Sequence, residues 1–107
     1  MTDGLGELEH LILLAILRVG PDAYGVSIRA ELQRHMRRPV LRPSVYLALR
    51  RLEEKGLIRS RLSDPEPRRG GRARKCVELT AAARKQLRES QRVLQGLWRG
   101  VRVDEVR

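Results

Sequence analysis

At 107 residues and 41% apolar side chains, the chain reads as one globular domain rather than a disordered or multidomain protein. Its single cysteine excludes an intrachain disulfide, and its longest nearly apolar run, Leu11 to Leu17, is far too short to span a bilayer. Nearly all of the net charge of +10 sits in one third of the chain, the electrostatic footprint of a polyanion partner, and with no Phe the core must be aliphatic.

Met1 to Gly6 reads as a loose arm. It lacks the cationic start, apolar run and small-residue cleavage site of a signal peptide, so a reducing cytoplasm is expected. A first helix is predicted over residues 7–19. Leu8, Leu11, Ile12, Ala15 and Val19 form its main stripe, and Leu13, Leu14, Ile16 and Leu17 widen it nearly all round. Such a helix lies at the centre of a core or is covered on a second side by another chain. Gly20-Pro21-Asp22 ends it. A second helix is predicted over residues 24–37, with Tyr24, Ile28, Leu32 and Met36 four apart and Pro39 as its stop.

The third helix, residues 43–55, organises the chain. Val45, Ala48, Leu49 and Leu52 recur at steps of three and four, which predicts one buried stripe. Ser44, Tyr46, Leu47, Arg50 and Arg51 lie outside it, and Arg42 is just upstream. Pro43 suits a first helical turn, Ser44 is an alternative N-cap, and Gly56 is a natural C-terminal cap. Three helices with short links match helix-turn-helix geometry.

A strand follows over residues 57–63, with Ile58, Ser60 and Leu62 alternating against Arg59, Arg61 and Ser63. Two prolines and two glycines mark residues 64–72 as a loop, and residues 74–79 form a second strand with Val77 and Leu79 inward. Strand, basic loop and strand make a wing. Thr80 caps a last helix over residues 81–101, where Leu87, Gln91, Leu94, Trp98 and Val101 are spaced four, three, four, three, as in a coiled-coil seam. Charge follows these divisions. Residues 1–36 carry three basic and five acidic side chains, residues 37–75 thirteen and four, and residues 76–107 seven and four. Arginine-rich usage alone explains single arginines, but not their concentration in the third helix and wing.

Five pieces now stand in order: residues 5–17, Tyr24-Gly-Val-Ser-Ile28, residues 44–58, Gly71-Arg-Ala-Arg-Lys75 and Leu79-Thr-Ala-Ala-Ala-Arg84. Together they resemble the PadR family of transcriptional regulators, and the short tail resembles its smaller subfamily with one C-terminal helix. Two departures stand out. Leu47 takes the place of a common proline, and Ala83 that of a frequent glycine. The resemblance implies a mainly α fold with a small β-hairpin. Residues 1–79 would be a winged helix-turn-helix domain, and residues 80–107 a dimerisation helix and tail. It also implies a homodimeric repressor of double-stranded DNA with a near-palindromic operator.

On this reading Arg42, Ser44, Tyr46, Arg50 and Arg51 face the major groove, and Arg68, Arg69, Arg72, Arg74 and Lys75 follow the backbone or minor groove. Each has a plainer role available. Ser44 can be only a cap, Tyr46 a half-buried core tyrosine, and the loop a solvated one. Arg51 can pair with Glu54, and Lys55 with Asp64. Leu8, Leu11, Leu87, Gln91, Leu94, Trp98 and Val101 are the dimer set. Trp98, with Leu94, either fills the dimer core or sandwiches a planar effector. Some regulators that the chain resembles bind planar drugs between paired tryptophans on this helix.

His10 and His35 have no companion ligands at metal spacing, so no metal or cofactor is expected. Cys76 reads as an inert thiol, with a redox switch as the alternative. No nucleophile elbow, phosphate loop or metal cluster supports an enzyme. A protein-interaction module and a nonspecific DNA-binding protein are the competing readings.

Overall fold

The computed structural model describes residues 5–62 and 74–104. The order is α1 (Glu7–Val19), α2 (Gly25–His35), α3 (Arg42–Glu54), β1 (Ile58–Leu62), β2 (Lys75–Leu79) and α4 (Ala81–Trp98). The core is aliphatic, as the absence of Phe dictates. Ile12 and Leu13 of α1, Ile28 of α2, and Val45 and Leu52 of α3 are its largest fully buried residues. All four predicted stripe positions of α3 are buried. Ile58, Val77 and Leu79 close the core from the hairpin, and Ala83 and Leu87 from the first half of α4.

Local chemistry sets where the helices begin and end. Glu9 reaches back to accept the Gly6 N–H at 2.8 Å, and Ser27 accepts the Tyr24 N–H at 3.0 Å, so each orders the entry to its helix. At the end of α3 the Leu57 N–H donates to the Leu52 carbonyl and the Gly56 N–H to that of Glu53, with Gly56 at φ 75°. That is a Schellman turn, with its hydrophobic contact supplied by buried Leu52 and Leu57. Thr80 caps α4 as expected, accepting from the Ala83 N–H at 3.3 Å. Its hydroxyl also donates to the Gly56 carbonyl at 2.8 Å, joining the exit of α3 to the entry of α4.

Several sequence expectations need correction. Helix α3 starts at Arg42 with Leu41 as its cap, so Ser44 lies inside the first turn and caps nothing. Helix α2 stops at His35, because Gln33 draws the chain into a turn. The Gln33 side chain donates to the Arg38 carbonyl at 3.2 Å and accepts the Val40 N–H at 2.7 Å. Helix α4 ends at Trp98, which leaves Val101 beyond the helix carrying the proposed seam.

The hairpin is antiparallel, pairing Ile58 with Leu79 through to Leu62 with Lys75. Leu62 is 73% exposed instead of inward, because the far end of β1 projects past the core. Strand β2 is also bridged along its outer edge by the link between α1 and α2. Its Val77 N–H donates to the Ala23 carbonyl at 2.8 Å, and Cys76 forms a bridge with Tyr24, so Cys76 and Val77 are both buried. Every residue from Gln91 to Asp104 is exposed. The second half of α4 thus extends from the body, and the molecule measures 59 × 32 × 21 Å.

Candidate DNA-binding surface

The face of α3 opposite its buried stripe carries Arg42, Ser44, Tyr46, Leu47, Arg50 and Arg51, all exposed. The Tyr46 ring lies against the first residue of α2. A Cβ at Gly25 would stand 2.5 Å from the Tyr46 hydroxyl and 2.6 Å from its ring carbons, so only glycine lets the ring sit there. Next to Gly25, the ring of Tyr24 carries the Arg74 guanidinium at 4.8 Å, a cation–π contact at the root of the wing. Between α3 and the hairpin these residues bound a cleft of about 560 Å³, with Leu47, Arg50 and Lys75 on its walls.

The cleft has a largely apolar wall on which the cations Arg50, Arg74 and Lys75 outnumber the one acid, Glu53. Among the described residues, Lys75 makes a long, exposed contact with Glu53, at 3.9 Å, which leaves it open to a stronger anion. Arg59 makes a similar contact with Glu78 at 3.6 Å. The Ser60 hydroxyl, on the cleft wall, is buried and has no hydrogen-bond partner among the described residues. Arg68, Arg69 and Arg72 lie outside the described residues.

Behind this face, α3 is fixed to the other helices by polar contacts. The Arg29 Nε donates to the Val40 carbonyl at 2.7 Å, holding the link between α2 and α3. Lys55 pairs with Glu9 at 2.9 Å, and its other expected partner, Asp64, lies outside the described residues. Burial acts to raise the Glu9 carboxyl. Hydrogen bonds from Lys55 and the Gly6 N–H, with the charges of Lys55 and Arg51, outweigh it and hold the carboxyl below its ordinary range. Among the described residues, no ion pair joins Arg51 to Glu54. On α2, hydrogen bonds from Arg18 and His35 likewise lower the carboxyl of Glu31.

A second surface lies between α1 and α4. His10, Leu14, Leu17, Leu87, Leu94 and Trp98 help line a groove of about 550 Å³ there. Leu14, Leu17, Leu94 and Trp98 are 41–53% exposed. Of the other residues in the expected dimer set, Leu87 is buried in the chain's own core, Leu8 and Leu11 are half-buried, and Gln91 is exposed. Ser90 and His10 meet at 3.5 Å and join the two helices. Cys76 is 2% exposed, so its thiol is shut from solvent. Among the described residues, no group of three His, Cys, Asp or Glu is placed to hold a metal ion.

Four helices and a two-stranded antiparallel hairpin agree with what the comparisons return. The transcriptional regulator PadR-like family model matches residues 13–89. The chain belongs to the PadR-like family. It is similar to a PadR family regulator of Clostridium difficile R20291, at 28% identity over 88% of this chain and 96% of that one, with a TM-score of 0.70. A PadR-like transcription factor of Bacteroides fragilis has 28% identity, coverage of 84% and 82%, and a TM-score of 0.69. A PadR family regulator of Eggerthella lenta has 27% identity, coverage of 88% and 81%, and a TM-score of 0.65. Comparison with curated proteins finds no significant match. PadR family proteins are DNA-binding transcription regulators and not enzymes, and the winged-helix fold read from the sequence is the fold of these neighbours. Among the described residues, no helix is long and apolar enough to cross a membrane.

The sequence reading missed Tyr24 and Gly25 as parts of this surface. Tyr24 was assigned to the apolar side of the second helix by its spacing. The signal was the Tyr24-Gly25 pair itself, since a glycine opening a helix marks close approach by another group.

Proposed function

We propose that this PadR-like protein is a homodimeric repressor that binds a near-palindromic operator in the cytoplasm. Helix α3 enters the major groove with Arg42, Ser44, Tyr46, Arg50 and Arg51. Arg74 and Lys75, with Arg68, Arg69 and Arg72 of the loop, follow the phosphates or the minor groove. Residues 1–79 supply the reading domain and residues 80–107 the pairing arm. The observation that carries the proposal is the exposed apolar surface of Leu14, Leu17, Leu94, Leu97 and Trp98, on a chain whose α3 face is cationic. An arm of this kind needs an apolar partner, and a second copy brings two recognition helices to one duplex.

Sedimentation of the full chain should give a dimer, and a shift assay should show binding to the promoter fragment beside its own gene that exceeds binding to random DNA. Equal binding to both would favour a nonspecific DNA-binding protein. No binding to either would favour a protein-interaction module. Repression is tested by transcription in vitro from that promoter, where activation would reverse the sign of the assignment.

A second reading concerns Trp98, which is 53% exposed on the α1–α4 groove. Two copies facing across a two-fold axis would sandwich a small planar, apolar effector that relieves repression. Quenching of Trp98 fluorescence by planar compounds, with release of DNA, is the expected outcome. An unquenched signal across a broad panel leaves Trp98 as dimer core alone.

A further inference from the structure

We infer that Leu47 is a specificity-determining residue that reads the 5-methyl group of a thymine in the major groove. This assignment rests on the sequence-specific DNA binding proposed above and names one chemical feature of the operator. Helix α3 already buries its apolar stripe, since Val45, Ala48, Leu49 and Leu52 are all at most 9% exposed. Leu47 is 46% exposed. It lies three residues after Ser44, three before Arg50 and four before Arg51, which at 3.6 residues per turn sets it midway across the outward face. It also lines the cleft that carries Arg50, Arg74 and Lys75, beside Tyr46, and is not part of the α1–α4 groove.

A leucine at that place lies outside the core cluster and away from the pairing arm. Its neighbours are groups that bind phosphate or guanine. Among the base edges of the major groove, the apolar feature is the thymine methyl, and an aliphatic side chain is its natural complement. Arg50 and Arg51 would anchor the helix by charge, which is indifferent to that methyl. Leu47 would sense whether it is present.

The test begins with selection of bound sites from random DNA by the full-length protein. The preferred duplex is then synthesised with thymine and with uracil, which lacks only the methyl. Binding is measured by fluorescence anisotropy for wild type, Leu47→Ala and Arg50→Ala. One methyl removed from water corresponds to about 0.8 kcal/mol, so wild type should bind the uracil duplex about fourfold more weakly per half-site. Leu47→Ala should bind thymine and uracil duplexes equally. Arg50→Ala should weaken both while keeping their ratio. Equal wild-type binding to the two duplexes, or a Leu47→Ala variant that still discriminates, would overturn the assignment and leave specific binding standing. If no sequence is enriched, specific binding itself fails and the assignment with it. Leu47 is exposed, so folding of the variant is expected and is checked by its melting curve.

Discussion

Helices α3 and α4 both turn long side chains toward solvent, and they do so with opposite chemistry. The outward face of α3 sets arginines around Tyr46 and Leu47, while the outer half of α4 exposes Val93, Leu94, Leu97 and Trp98. A cationic face is stable in water and waits for an anion. An exposed apolar arm is not, and gains from any apolar cover. Exposure alone names no partner. The kind of surface exposed does, and the two surfaces divide the proposed labour into reading and pairing.

The largest expected effect comes from removing the pairing arm. Leu94→Glu with Trp98→Glu should give a monomer by sedimentation. Operator affinity should fall on the order of 10²- to 10⁴-fold, because two linked reading helices bind by avidity and one does not. Retained dimers would show that pairing lies elsewhere.

Salt should separate the two surfaces next. If about six phosphates are neutralised per dimer, operator binding should fall on the order of 10³-fold between 50 and 200 mM salt. The dimer, held by apolar contacts, should survive the same range by sedimentation. Salt-insensitive DNA binding would refute a cationic reading face.

Smaller effects test how the reading face is held. Gly25→Ala forces the Tyr46 ring from its seat and should lower the melting temperature by an amount equivalent to about 1–3 kcal/mol of overpacking. DNA affinity should fall with it, while the dimer stays intact. An unchanged affinity would remove Tyr46 from the interface.

The smallest effect is expected at Glu9, 6% exposed beneath the end of α3. Its folded carboxyl is held below the ordinary value of 4.5, so its pairing stabilises the fold above that pH. That contribution is lost as pH falls through the lower folded value. Glu9→Gln should cost about 1 kcal/mol near neutral pH and shallow the acid limb of a pH–stability curve. A curve superimposable on wild type would show that the pair with Lys55 contributes nothing.

Much of the fold was legible in the sequence because its signals are local. The Val45, Ala48, Leu49 and Leu52 stripe, the Gly56 stop and the Thr80 cap each depend on residues within a turn or two. The errors arose where local signals competed. Ser44 is a good cap in isolation, but the helix is already under way at Arg42 and Pro43. Leu62 keeps the strand alternation of Ile58, yet no core extends beneath it.

The candidate site was half legible. The arginines of α3 and the wing announced a polyanion partner by their density alone. The seat of Tyr46 on Gly25 and the stacking of Arg74 on Tyr24 were not readable, since they join segments distant in sequence. By itself the sequence determined the helices, the hairpin, the aliphatic core and the separation of charge along the chain, because period, caps and composition act over short range. Only the tertiary structure decided that Leu47 is left facing the cleft between α3 and the hairpin, that Leu87 is buried within its own core, and that Leu14 and Leu17 join Leu94 and Trp98 on one exposed surface. Those outcomes depend on how helices pack on one another, and an apolar residue is committed to a core only when another element arrives to cover it.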